Sequence, residues 1–595
     1  VAEEFKWDLK KLYRDDEQWR EELRRYCNLY PRIGEFRGRL GEGAKVLAEA
    51  LELEREVNEL GERLSQYAAL RVAEDSGDSQ ALALEAELQA VQTKVGEAFA
   101  FLQPEIQALG DEDFEGYLGS PELEEWRIPL RKIRRMKPHT LSAAEERILA
   151  LGASAVGGHG EAFSQLLNVD LKFGSVRDED GKERELSQSS FSSFLVRRER
   201  RVREEAFRKF YEQIEGHRYT LAALLASSVR ADVFYARARN FGSCLEAALF
   251  YDDIPVEVYE NLVRTVRSRL GALFQYYRLR RRVLGLEELH HFDLYVPLVG
   301  EVKTDVSWEE AVEMVVGAVE PLGEDYVREL QRGLTTERWC DRYENKGKRG
   351  GAFSYGTYRS LPYILMNYKR DVFADVFTLA HEAGHSMHTL LASRAQLFQN
   401  YHYPIFLAEV ASTFHELLLT EYLLGRTEDR KMRAFLVNRQ LDDIRGTMFR
   451  QTMFAEFELE VHGMEERGEA VTLDSLRRVY RGLLEAYFGG EVVIDRELEV
   501  ECLRIPHFYS AFYVYKYATG LSAAVALAKR VLEEGEREKY LSFLRSGGSK
   551  FPLETLLEAG VDLRTPEPIE ATLDLFEKRV VELEELMGVR KEIGG

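Results

Sequence analysis

His381-Glu382-Ala383-Gly384-His385 places two imidazoles four residues apart, with a carboxylate directly after the first. On a helix, positions four apart lie one above the other on the same face. Both rings can then reach one tetrahedral Zn2+ ion, at nitrogen–metal distances of roughly 2.0–2.1 Å. Glu382 projects beside such an ion and not onto it, where it can take a proton from a water made acidic by the metal. The chemistry indicated is hydrolysis.

A catalytic zinc site takes three protein ligands and keeps one position open. Between Ser386 and Thr420 the carboxylates are Glu409 and Glu416, and the histidines are His388, His402 and His415. Glu409 lies in Leu407-Ala408-Glu409-Val410-Ala411-Ser412, a second helical pattern after Pro404 that can fold back across the first. It leads as third ligand; His388, three positions beyond His385 on the shared face, is the alternative. Glu416 is two turns beyond Glu409 and suits a hydrogen-bond acceptor for a ligating imidazole, although a surface acid would look the same. Gly384 costs a helix roughly 1 kcal/mol relative to Ala. Close approach of another backbone would compensate.

The element that must carry the motif is legible in its apolar stripe: Phe373, Val376, Phe377, Ala380, Gly384, Met387 and Leu391 step by three or four. Asp371 is the expected cap. Upstream, Gly350-Gly351-Ala352-Phe353-Ser354-Tyr355 and Leu361-Pro362-Tyr363-Ile364-Leu365-Met366-Asn367-Tyr368 are aromatic, partly β-branched and Gly-punctuated, the marks of short strands. An exposed strand edge can bind an extended peptide through backbone hydrogen bonds that ignore side-chain identity. Downstream, Pro506–Tyr517 holds His507 and the phenols of Tyr509, Tyr513, Tyr515 and Tyr517. Taken alone it reads as core packing, but these groups are also donors suited to an oxyanion. His139, His159, His217 and His290-His291 read as structural.

Elsewhere helical periodicity dominates. Leu53, Val57, Leu60, Leu64 and Tyr67 form one seam and Leu84, Leu88, Val91, Val95, Ala98 and Leu102 another, joined by a polar Gly-containing turn. They predict an antiparallel helical hairpin. Gly152–Gly160 is expected to be a boundary, and Leu171–Leu186 a β-hairpin around Asp180-Gly181. Helices resume from about Phe191. The expected organisation is an amino-terminal helical lobe over 1–190 and a catalytic helical lobe over 191–595, in a mainly α fold.

The totals narrow the function classes. A length of 595 residues with 45% hydrophobic content gives ample core and excludes a disordered chain. With 81 Lys+Arg against 103 Asp+Glu, the formal charge of −22 disfavours nucleic acid as a partner. The basic runs Arg197–Arg201 and Arg278–Arg282 are expected to be solvated faces. No apolar window is long enough for a membrane span. The start shows no export signal, and the 4 cysteines have no paired spacing; the expected location is the cytoplasm.

Leu361–Tyr368, His381–His388, Glu409-Val410-Ala411-Ser412 and His507-Phe508-Tyr509 together resemble the oligoendopeptidase F family, kin to thimet oligopeptidase and neurolysin. The similarity runs from Phe5-Lys6-Trp7-Asp8-Leu9 to beyond Pro506. It implies a mostly helical, bowl- or clam-like metallopeptidase with a small β-sheet beside the zinc helix, a central substrate cavity and cleavage of oligopeptides. It also implies one Zn2+ on His381, His385 and Glu409, with Glu382 as general base; His388 and Glu416 are expected in support of the ligands. His507 and Tyr509, Tyr513 or Tyr515 would stabilise the transition state, and Gly350, Gly351, Ala352 and Tyr363 would border the substrate. Ser510 stands where many relatives carry a tyrosine. The rival readings are a zinc carboxypeptidase of related helical fold and a non-catalytic helical protein with structural zinc.

Overall fold

A computed structural model describes residues 2–300, 302 and 305–589. Among them the fold is mainly α, with two small sheets. One is the expected hairpin of β1 (Ser175–Arg177) and β2 (Glu183–Glu185). The other has three strands, β3 (Cys340–Asp341), β4 (Phe353–Tyr355) and β5 (Tyr363–Leu365). Their order is β3-β5-β4, with β5 parallel to β3 and antiparallel to β4. No helix among the described residues is long and apolar enough to cross a membrane.

The chain packs into two compact units, each assembled from three segments: Val1–Pro138, Lys303–Leu423 and Leu527–Val561 in one, His139–Val302, Leu424–Ala526 and Asp562–Gly595 in the other. This partition differs from a single cut at residue 190. In the first unit, α1 (Asp16–Leu29), α2 (Ala44–Glu74) and α3 (Ser79–Phe99) bury apolar faces in a common core. Their core, which includes Trp7, Trp19, Leu64, Leu84, Leu88 and Ile106, is completed by Tyr363 and Leu365 of β5. α2 and α3 form the expected hairpin, and Asp78 caps α3 by accepting from Gln80 N at 2.8 Å. The turn between them also bonds the loop before β4: Ser76 N donates to Gly347 O at 2.7 Å and Arg349 N to Ala73 O at 3.0 Å. The amino-terminal helices are thus a buttress for the sheet.

In the second unit the glycines of 152–160 do not break the chain. They lie inside a helix, Ala143–Gln165, opened by a Ser142/Glu145 capping box. Phe163 is its one buried residue, and an added Cβ at Gly152, Gly157, Gly158 or Gly160 would meet nothing. The glycines weaken the helix without marking a boundary. The second basic run is likewise only partly solvated. Arg280 is buried and donates to Tyr276 OH at 3.0 Å and Asp293 O at 3.1 Å, whereas Arg278 pairs with Glu491 at the surface.

Candidate metal centre

The motif lies on α4 (Ala374–Ala395). Phe373 is the N-cap and no side chain caps the helix. Asp371, exposed and outside it, does not fill that role; Asp375 instead accepts from Lys369 N at 2.8 Å and ties the incoming chain to the first turn. Val376, Phe377, Ala380, Gly384 and Met387 are buried as their spacing requires. α5 (Ile405–Arg426) crosses α4 at Gly384. A Cβ there would lie 2.5 Å from Ala411 O and 2.7 Å from Ser412 Cα, inside van der Waals contact. Only glycine lets the two backbones touch, and that contact carries Glu409 to the histidines.

His381, His385 and Glu409 offer ligand atoms that all lie within 4.8 Å of one another. Glu409 Oε2 is 3.4 Å from His381 Nε2 and 3.7 Å from His385 Nε2. The far side of each ring is already engaged. His381 Nδ1 is 2.8 Å from Glu416 Oε1, and the Ala408 carbonyl accepts from His385. Ser412 Oγ donates to Glu409 Oε2 at 3.1 Å. Two imidazoles tethered through one nitrogen, with the other turned toward a carboxylate, fit a divalent cation in both donor chemistry and orientation.

The electrostatics agree. Burial opposes a charge on His381, but the hydrogen bonds to Glu409 and Glu416 overcome it and lift the ring to about 10. The His381 hydrogen bond holds Glu409 down at about 2. Burial, with His381 nearby, brings His385 to about 4. The cluster thus favours a positive charge among these three groups, the place a cation would fill.

Glu382 is only 7% exposed. Burial pushes its carboxyl up to about 7; His381 opposes the shift while Glu409 and Glu416 add to it. It also accepts a hydrogen bond from the Ser354 backbone N–H. That bond follows from the sheet register. Ile364 N and Met366 N of the β5 segment donate toward β3, to Trp339 O and Asp341 O, both at 2.8 Å. Tyr363 and Leu365 therefore serve β4, opposite Tyr355 and Phe353. Ser354, between these pairs, turns its backbone groups to the open edge of the sheet. One further alternation puts Ala352 on the same edge. Ser354 Oγ is also 2.8 Å from Ser386 Oγ on α4.

The loop before β4 is pinned. Asn367 Nδ2 donates to Arg349 O and Gly351 O at 3.0 and 2.8 Å. Gly350 and Gly351 are exposed, and Gly351 has a left-handed φ of 82° that suits glycine. The Tyr363 side chain, expected to border the substrate, is turned into the core. It sits in the central strand, fully buried, its ring in the amino-terminal core and its hydroxyl donating to Asp8 O at 2.9 Å. His388 is not a supporting residue by hydrogen bonding. It is buried with neither ring nitrogen bonded, stacked on Tyr403 at 3.6 Å, because it lies two turns beyond His381 along α4, past the metal ligands. His402 pairs with Glu62, and His415 with the Tyr326 hydroxyl.

The downstream aromatic run belongs to the second unit, where its tyrosines separate into two groups. Tyr509 stacks on Phe163 at 4.2 Å, and Tyr515 is buried against Tyr259. Tyr513 and Tyr517 instead gather round exposed His507, with Tyr517 OH 3.3 Å from its Nε2 and the Tyr513 ring stacked on it at 6.2 Å. Between them Phe512 has a left-handed φ of 55°, and Glu458, buried, accepts from its N–H at 2.9 Å. Ser354 and Glu458 were not among the sequence candidates, and Tyr517 stood only as one phenol of the run, outside the choice between Tyr509, Tyr513 and Tyr515. The i, i+4 spacing of Tyr513 and Tyr517 was the one available signal.

Comparison with known proteins fits this arrangement. A family model described as peptidase family M3 matches residues 193–575, and one described as oligopeptidase F matches residues 105–173. The chain is 42% identical over 590 residues to oligopeptidase PepF of Bacillus subtilis, covering 99% of this chain and 88% of that protein. It is 38% identical to an oligoendopeptidase F homolog of Borreliella burgdorferi, covering 98% and 99%. Among solved structures, oligoendopeptidase-F from Enterococcus faecium superposes with a TM-score of 0.75 at 34% identity, over 97% of this chain and 100% of that one. A Chlamydophila abortus structure gives 0.93 at 34%, over 98% and 99%. The chain belongs to peptidase family M3, in its oligoendopeptidase F branch, and is a metalloendopeptidase.

Proposed function

We propose that the chain is a zinc-dependent oligoendopeptidase that hydrolyses internal bonds of short peptides, with His381, His385 and Glu409 holding one Zn2+. The observation that carries this reading is the convergence of those three side chains beside buried Glu382. Zinc bound there supplies a Lewis acid that polarises a carbonyl and lowers the pKa of a water. Glu382 takes the proton from the attacking water and passes it to the leaving amine as the C–N bond breaks. Glu416 fixes the orientation of His381 through Nδ1.

The open edge of β4 supports a role in holding the peptide: the backbone at Ala352 and the Ser354 carbonyl pair with an extended substrate while the Ser354 N–H stays on Glu382, and Gly350 and Gly351 leave room for it. Such pairing reads backbone and tolerates many sequences. His507, with Tyr513 and Tyr517, is the proposed donor set for the oxyanion, supported by the clustering of these groups and by the family resemblance. The oligopeptidase names of the relatives support the substrate class. Four free cysteines support work in a reducing compartment, the cytoplasm.

General acid–base catalysis contributes about 10²–10⁴-fold. Glu382→Gln should therefore keep one zinc per chain and lose turnover by at least that factor, measured by metal analysis and peptide hydrolysis. Near-normal turnover in the zinc-loaded variant would remove Glu382 from this role.

A further inference from the structure

Gln66 is a polar residue in an apolar place. It lies in α2 among Leu64, Tyr67 and Leu70, and is 0% exposed. Leucine would pack there at no polar cost, so the amide needs a reason. Its partners are all in the connection between β4 and β5. Nε2 donates to Tyr355 O at 2.8 Å and to Leu361 O at 3.1 Å. Oε1 accepts from Thr357 Oγ1 at 3.0 Å. Two carbonyls can only accept, which fixes the orientation of the amide. One side chain thus ties together both ends and the interior of the turn.

The turn has no slack on its other side. A Cβ on Gly356 would lie 2.8 Å from Thr389 Cγ2 of α4 and 3.2 Å from Pro362 Cα. Arg359, in the same turn, has a left-handed φ of 56°, a conformation that persists only where surroundings impose it. The β4 residue next to Tyr355 is Ser354, whose N–H bonds Glu382 and whose hydroxyl bonds Ser386. The path from Gln66 to Glu382 therefore runs through one carbonyl and one peptide step.

We propose that Gln66 is a positioning residue: from the amino-terminal hairpin it sets the placement of the β4 edge against Glu382, and so the alignment of the scissile bond with the base. The inference rests on the reading of β4 as the substrate edge and of Glu382 as base. It makes the amino-terminal helices part of the catalytic apparatus and not only a wall.

The test uses the full-length, zinc-loaded protein and one peptide substrate with N-methyl groups placed at successive backbone nitrogens. In the wild type, methylation at the nitrogens that pair with β4 should lower kcat/KM strongly and methylation elsewhere should not. Gln66→Met keeps size and removes all three bonds. It should lower kcat/KM on the unmethylated peptide by about 10²-fold, the scale of a 1 Å misplacement, keep its zinc, and lose most of the position dependence of the methyl scan. Wild-type kinetics in Gln66→Met would overturn the proposal. A fall in rate with the methyl pattern intact would also overturn it, since that is what general destabilisation gives. A flat scan in the wild type would instead bring down the substrate-edge reading itself. Should Gln66→Met not fold, Thr357→Val removes one of the three Gln66 bonds, together with the 2.9 Å bond between Thr357 Oγ1 and Ser360 Oγ; it should blunt the scan in the same sense, and an unchanged scan there would overturn the proposal.

Discussion

At the scale of single residues, the second nitrogen of each imidazole decides what the site can hold. His381 would be free to rotate were Nδ1 not bonded to Glu416 at 2.8 Å. With that bond, Nε2 is the atom presented to Glu409. Removing such an outer partner typically costs 10–100-fold in metal affinity. Glu416→Ala should thus weaken zinc binding by about 10–100-fold in competition with a chromogenic chelator, while Glu382 and the ligands remain in place; unchanged affinity would contradict the account. These positions were readable because i, i+4 spacing on a helix is a local rule. Tyr363 and His388 were not. Both lie within a few residues of the proposed site positions, and only where a side chain is delivered separates a lining residue from a core one. For Tyr363 the difference is a strand with a neighbour on each edge; for His388 it is the distance along α4, two turns beyond His381.

At the scale of elements, the site depends on how closely α4 and α5 approach. Gly384 was legible as a helix glycine that needs a reason, and the reason is Ala411 O at 2.5 Å from where a Cβ would stand. Overpacking a tight interface typically costs about 1–3 kcal/mol. Gly384→Ala should lower the unfolding midpoint and, by moving Glu409 from the histidines, reduce the zinc retained after dialysis; thermal melts and metal analysis would show both. A variant with wild-type melting and full zinc would mean the helices can separate without consequence. The glycines of 152–160 show the opposite case. Nothing packs against them, so the helix runs through, and composition alone could not tell an open face from a break. The Asp371 cap failed similarly: the backbone path makes Phe373 the N-cap and leaves the helix without a side-chain cap, and Asp375, inside the first turn, takes Lys369 N instead.

At the scale of the whole molecule, the secondary-structure content was legible and the partition was not. Helical seams and the α2–α3 hairpin follow from periodicity within short windows, and the β1–β2 hairpin from the Asp180-Gly181 turn. The units do not, because each is assembled from three stretches far apart in sequence. Residues 2–138 complete their core on β5, more than 200 positions downstream, and Gln66 reaches Tyr355 and Leu361 across the same gap. Glu458 holds strained Phe512 in the second unit by a bond across 54 positions. The central claim, zinc-dependent cutting inside short peptides, is tested most directly by digesting a mixture of peptides blocked at both ends and reading the products by mass spectrometry. Internal cuts confined to the shorter peptides, abolished by a chelator and restored by Zn2+, are the predicted result. Blocked peptides left intact, or cuts that persist in the chelator, would contradict it.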